Sequence, residues 1–378
     1  MNREEKEKRL DYASAFTRGF YKKPFLRNLF LELTMQCNEH CFHCGSNCSG
    51  EKQEQLSLEE YKRVLDQIKE DFDISHVFLC ITGGEPLLRP DFFEIMGYAN
   101  QLGYHWGMTT NGTLITKEVA QRLAECGMRT VSISIDGLRG THDRLRGFPG
   151  GYDRAMQGIK NLIDEGAFQA VQITTVVNHQ NISELDALFD ILDDIEIDSW
   201  RVINVEPIGR APEHPEMMCT KEDFSRLFEF IRKKREAGYP VEYGCSHFLG
   251  LDYEREIRNW FWFCGAGLMT ASIMANGDIG ACLDIERRPE TIQGNIRKDR
   301  FAFVWENRFE IFRKDLAENS DYCKGCEHID HCRGDAHHTW DYDKKQPRVC
   351  LKNIMQGMDH KVEVAVQPVR TSHCKECK

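Results

Sequence analysis

No apolar run in this 378-residue chain approaches the about 20 residues that span a bilayer. The N-terminus, MNREEKEKRLDY, has no apolar stretch of the kind that opens a secretory signal. Positive charge is not in excess either. The formal net charge is -11, which argues against a nucleic-acid backbone as the main partner. There is no low-complexity segment and no internal repeat beyond a succession of strand–helix units. These absences point to a cytoplasmic globular protein without membrane or nucleic-acid partners, its acidic surface compatible with a basic peptide or a small molecule. A 41% hydrophobic content over this length supports one large domain and a smaller one.

Cysteine, by contrast, is abundant: there are 16. In a reducing compartment closely spaced thiols hold metal more often than they form disulfides. Their surroundings divide the chain. A charged helix over residues 3–20 precedes six strand-like runs: NLFLELT (28–34), HVFLCIT (76–82), HWGMTT (105–110), TVSISI (130–135), AVQITTVV (170–177) and WRVINV (200–205). Amphipathic helical patterns separate them. One opens on Ser57 and Glu60 in capping-box spacing, and another stops at Gly127. Six such units predict a parallel sheet with right-handed crossovers, as an open or partial barrel. The predicted organisation is a helical segment (1–27), the partial barrel (28–210), a bridging helix segment (211–244), a cysteine-rich second domain (245–350) and a tail (351–378).

The stretch MQCNEHCFHCGSNCSG follows the first strand, where such folds place their chemistry. Cys37, Cys41 and Cys44 have the spacing C-x3-C-x2-C. Three thiolates hold three corners of a four-iron cluster and leave one iron open, the mark of a catalytic site. A zinc knuckle completed by Cys48 or His43 is the other reading of these residues.

The motif resembles that of the radical S-adenosylmethionine (AdoMet) enzymes, with His43 at their aromatic position and Cys48 outside the pattern as a non-ligand. The resemblance implies a 4Fe–4S cluster whose open iron is chelated by AdoMet, and a 5′-deoxyadenosyl radical that abstracts hydrogen from substrate. ITGGEPLL (81–88) resembles the family's Gly-Gly-Glu-Pro motif, so Gly83, Gly84 and Glu85 are expected to receive the AdoMet amino group. Asn111 ends the third strand beside the same site. Ser134 and Arg146 correspond to a serine and an arginine that bind ribose and carboxylate; the bland alternative for Arg146 is a salt bridge to Asp136 or Asp143. Val177 and Val205 are candidates to flank the adenine, or simply core.

The C-terminal cysteines resemble the SPASM extension of the same family, which carries one or two auxiliary 4Fe–4S clusters. Cys323, Cys326, Cys332 and Cys350 would ligate the outer cluster, and Cys264 and Cys282 the inner one. Asn276-Gly277-Asp278 supplies a hairpin turn. The sequence departs from the pattern at Ala336, where a cysteine is expected; Cys245, Asp335, His337, Cys374 or Cys377 is then a candidate third inner ligand. A zinc ribbon is the competing reading. Cys80, Cys126 and Cys219 read as buried apolar residues, Cys374 and Cys377 as a redox-labile tail, and His337–Trp340 as ordinary surface or a substrate wall.

Resemblance further implies a peptide or protein maturase that crosslinks, epimerises or oxidises its substrate, reduced by a flavodoxin or ferredoxin. Asp284 is the candidate base, Cys245 the candidate hydrogen donor, and Glu206 faces the AdoMet site. Only about 27 residues precede the first strand, so either a separate recognition protein reads a leader peptide, the barrel reads it directly, or the substrate is not a leader peptide. A small-molecule substrate such as a tetrapyrrole, and a non-enzymatic zinc scaffold, are the alternatives.

Overall fold

A computed structural model describes residues 3–244 and 247–356. The six expected strands are present: β1 (Asn28–Glu32), β2 (Phe78–Thr82), β3 (His105–Thr110), β4 (Met128–Ser134), β5 (Ala170–Val177) and β6 (Ser199–Asn204). All are parallel and pair in chain order. Their side chains alternate. One face, with Leu29, Leu79, Trp106, Val131, Ile173 and Trp200, lies in a continuous core under the helices, each aliphatic burial contributing about 1.5–3 kcal/mol. The other face, with Cys80, Ser132, Gln172 and Arg201, is only partly buried and lines the lumen of an incomplete barrel. The curvature is evident across that lumen, since Cys80 on β2 lies within the field of Arg201 on β6, four strands away.

The helices sit where their caps predict. Ser57 and Glu60 form a capping box at the first crossover helix, Leu58–Asp71. Thr220 and Asp223 do the same for the bridging helix, Lys221–Glu236. Past that helix a further parallel strand, β7 (Val241–Tyr243), pairs with β6.

The cysteine-rich segment is less separate than its sequence suggests. Its strands β8 (Thr270–Ile273), β9 (Asp278–Gly280) and β10 (Gly294–Asn295) join the same sheet, giving the order β10-β9-β8-β1-β2-β3-β4-β5-β6-β7. β8 runs parallel to β1, and the expected Asn276–Asp278 turn connects β8 to β9. Covering β1 satisfies an edge that would otherwise expose unpaired backbone. Glu32, fully buried at the end of β1, locks the junction: its carboxylate accepts from Ala275 N at 2.9 Å and Arg287 Nη2 at 2.5 Å. The N-terminal helix α1 (Arg3–Lys22) packs on the cysteine-rich region. Leu10 is buried with Phe248, Trp262 and Ala336, and Ser14 Oγ donates to Asp330 O at 2.8 Å. A short helix, Leu351–Met355, opens the segment expected as tail. No helix among the described residues is long and apolar enough to cross a membrane.

Candidate active site at the carboxyl edge of the sheet

The loop after β1 closes on itself. Cys37 N donates to Ser49 O at 2.7 Å and Ser49 N to Met35 O at 3.3 Å. Cys37, Cys41 and Cys44 are partly buried on this loop, while Cys48 is 2% exposed behind it, packed with Met35 and Ala275. Backbone amides already point at two sulfurs: Glu39 N lies 3.4 Å from Cys37 Sγ, and Cys48 N 3.3 Å from Cys44 Sγ. Burial pushes the Cys37 thiol up to about 11 and Cys41 well above the usual thiol range. Cys44 is lowered, chiefly because the Cys48 thiol donates to it.

Three arms grip the loop. The first comes from the segment after β6. Arg210 Nε donates to Cys41 O at 2.9 Å, and its Nη1 to Cys48 O at 2.7 Å and Asn47 Oδ1 at 3.1 Å. Gly209 passes so close that a Cβ there would lie 2.0 Å from Cys44 O. Sequence reasoning missed Arg210; its signal was the position just past a strand's carboxyl end. The second arm is Arg146, buried with Asp136 and Glu39. Its Nη1 reaches Glu39 Oε2 at 2.8 Å and its Nε reaches Asp136 Oδ2 at 2.8 Å, and the backbone at 145–146 accepts from His40 and Phe42. Burial opposes ionisation of Asp136, but Arg146 and His43 outweigh it and hold that carboxyl well below the usual range. His43 Nε2 lies 3.1 Å from Asp136 Oδ2. Arg146 therefore spends its guanidinium on Glu39 and Asp136 under the loop, in a buried form of the ion pair weighed against an AdoMet contact.

The third arm is the Gly-Gly-Glu turn after β2. Gly84 N donates to Thr34 O at 2.7 Å and Glu85 N to Gln36 O at 2.8 Å. A Cβ on Gly83 would lie 2.3 Å from Thr34 O, and one on Gly84 2.2 Å from Gln36 O. The two glycines thus bring this turn against the chain's own backbone, where direct approach to a ligand was expected. Glu85 is fully buried and accepts from Thr110 Oγ1 and from the Asn111 amide, all at 2.9 Å. Burial pushes its carboxyl up to about 7. Asn111 Nδ2 donates to Asn38 Oδ1 at 2.8 Å, tying β3 to the loop.

A radical SAM superfamily model matches residues 31–192, and an iron–sulfur cluster-binding SPASM domain model matches residues 264–327. The chain is 33% identical over 316 residues to the mycofactocin maturase MftC of Mycolicibacterium smegmatis, covering 80% of this chain and 76% of that protein. It is 31% identical over 319 residues to an AdoMet-dependent heme synthase of Methanosarcina barkeri, covering 80% and 89%. The chain belongs to the radical SAM superfamily. Its fold matches Streptococcus suis SuiB bound to the precursor peptide SuiA, with TM-score 0.70 at 20% identity over 87% of this chain and 76% of that one.

As a radical SAM enzyme with a SPASM domain, the protein uses 4Fe–4S clusters and AdoMet. The residues present suit that pair: three thiols on one clamped loop, with two polar atoms of that loop, Glu39 Oε1 and His43 Nδ1, buried without a hydrogen-bond partner among the described residues. Ser134 is partly exposed on the lumen face of β4. Val177 and Val205, expected to flank the adenine or to be core, are both buried. Val177 belongs to the main core and Val205 to a small cluster with Leu145, Ala211 and Met217. The two-residue period of β5 turns Val176 toward the lumen instead. Asp284 is exposed, and its Oδ1 would lie 3.5 Å from a Cβ on Gly45 of the cysteine loop.

In the SPASM region, Cys323, Cys326, Cys332 and Cys350 lie within one another's fields. Burial raises Cys332, and Cys350 and Cys323 raise it further; Cys326 does the same to Cys350. Lys352 Nζ lies 3.8 Å from Cys326 Sγ. The inner set is poorer. Ala336 is 1% exposed in apolar packing beside Cys264. Asp335 is engaged through both oxygens, by His247 Nδ1 at 2.6 Å and Phe248 N at 2.9 Å. His337 is buried against Phe312 and Tyr342, so it is not the ordinary surface expected of it. Cys245, Cys374 and Cys377 lie outside the described residues. His247 Nε2 also meets Glu206 Oε1 at 2.8 Å, linking the end of β6 to the SPASM region.

Proposed function

We propose that this enzyme modifies a peptide or protein substrate by abstracting a hydrogen atom from it. The observation that carries this reading is the 33% identity to mycofactocin maturase over four-fifths of the chain. Cys37, Cys41 and Cys44 hold the catalytic cluster, and Arg146 and Arg210 fix their loop. When bound there, the reduced cluster and AdoMet supply one-electron cleavage of the sulfonium and a 5′-deoxyadenosyl radical. The Glu85 turn, Asn111, Ser134 and His43 seat AdoMet. Asp284, at the mouth beside Gly45, takes the proton that the oxidised substrate releases. Cys323, Cys326, Cys332 and Cys350 hold the outer auxiliary cluster, and Cys264 and Cys282 contribute to an inner site. A flavodoxin or ferredoxin supplies electrons.

Co-expression with a small peptide encoded beside the gene is the test. A mass shift on that peptide, lost when Cys37 is replaced by alanine, is expected. A second reading, a tetrapyrrole-type small molecule, is favoured by the 31% identity to a heme synthase of which the match covers 89%. An unmodified peptide together with turnover of an iron porphyrin would establish that reading instead.

A further inference from the structure

Arg201 occupies an unusual place for a charge. It sits in the middle of β6 on the lumen face, between the buried Trp200 and Val202 of the opposite face. Its aliphatic stem lies against Gly244, whose Cβ position is 3.6 Å from both Cγ and Cδ. Its Nε donates to Thr174 Oγ1 at 3.2 Å. Thr174 Oγ1 is in turn 2.7 Å from Ser132 Oγ, and Gln172 Nε2 donates to Ser199 Oγ at 3.0 Å. On its β5 side the surrounding wall is thus rich in hydroxyls.

Neither Nη of Arg201 has a hydrogen-bond or ion-pair partner among the described residues. Glu242 stands opposite it in the β6–β7 register, within its field but outside ion-pair distance; Glu242 lies in the field of Arg235 as well and accepts from Asn259 Nδ2 at 3.4 Å. A partly buried guanidinium whose two Nη groups are uncommitted can take a carboxylate with two parallel hydrogen bonds. Arg201 pairs in register with Thr174, and Thr174 with Ser134, the last residue of β4, so its backbone stands level with the carboxyl end of that strand.

We propose that the barrel lumen contains a carboxylate subsite, built by Arg201 with Thr174 and Ser132, that anchors the substrate. This rests on the substrate entering the lumen of a radical SAM enzyme, and it adds a chemical requirement: the substrate carries a carboxylate. A peptide with a free C-terminus and a porphyrin with carboxylate side chains share that chemistry.

The test uses anaerobic, cluster-loaded enzyme and two probe pairs. One is the gene-adjacent peptide with a free or an amidated C-terminus. The other is iron coproporphyrin as free acid or methyl ester. Wild type is expected to bind the free acid of one pair about 10- to 100-fold more tightly than its neutral partner, the range for charge-assisted hydrogen bonds. Arg201→Gln, with iron content matching wild type as evidence of folding, should erase that preference by weakening only the acid, and Arg201→Lys should restore part of it. Which pair shows the preference identifies the source of the carboxylate. No preference in wild type for either pair, or a preference that survives in Arg201→Gln, overturns the subsite. Formation of 5′-deoxyadenosine, measured without either probe, tests the radical chemistry separately.

Discussion

The loop at residues 37–48 and the SPASM region at residues 264–350 are both thiol-bearing, but their thiols are held differently. In the loop, three thiols fall within eight residues, on a segment gripped by Arg146, Arg210 and the Gly83–Glu85 turn. In the SPASM region, Cys323, Cys326, Cys332 and Cys350 come from short turns and a four-residue helix, Ile329–Cys332, with little sheet beneath them. The loop's geometry is therefore made by the protein, and the SPASM geometry relies more on metal, whose binding free energy becomes folding free energy. A site that must leave one iron open needs the first arrangement; a fully ligated site tolerates the second.

Replacing Cys323, Cys326, Cys332 and Cys350 by alanine should separate the two most sharply. Product formation is expected to fall at least about 100-fold, while AdoMet cleavage without substrate persists, both read by chromatography of quenched reactions. Hydrogen exchange should rise over residues 316–350 and remain slow over β1 and its loop. Equal loss of both activities would remove the distinction.

Arg146→Ala comes next. It leaves Glu39 and Asp136 buried without their cation, at a cost of about 3–5 kcal/mol, read in denaturant unfolding. Loss of under about 1 kcal/mol would mean that the clamp is not built as described.

The buried Glu85 carboxyl makes the loop side pH-sensitive. Its folded value is raised to about 7 from an ordinary 4.5. The associated stability is complete below pH 4.5 and is lost as pH rises through 7, about 3 kcal/mol in all. Glu85→Gln should flatten that slope in AdoMet-free protein, read as melting temperature against pH. Gly84→Ala sharpens the comparison at smaller scale. The added methyl meets Gln36 O and should cost about 1–3 kcal/mol, whereas the same change at Gly325 of the SPASM region meets no atom within 4 Å and costs only what its positive φ imposes.

Much of this was legible in the sequence because it is local. Strand alternation marked β1 to β6, and Ser57–Glu60 marked a helix start. The C-x3-C-x2-C spacing marked the loop, and Asn276–Asp278 the β8–β9 turn. What was not legible depends on distant partners. Nothing local shows that β8 will lie beside β1, that Arg146 will meet Glu39 107 positions away, or that Arg210 will cap Cys41 O. Register also escaped: one residue separates Val177 in the core from Val176 toward the lumen. His337 looked like loop surface because its cover, Phe312 and Tyr342, comes from packing.

The most direct test is anaerobic reduction of the purified enzyme with AdoMet and no substrate, comparing wild type with a variant carrying Cys37→Ala, Cys41→Ala and Cys44→Ala. Wild type should release 5′-deoxyadenosine, and the variant should release none above the reagent blank while keeping the iron bound by its SPASM cysteines. Undiminished 5′-deoxyadenosine from the variant would contradict the assignment of the loop as the site of AdoMet cleavage.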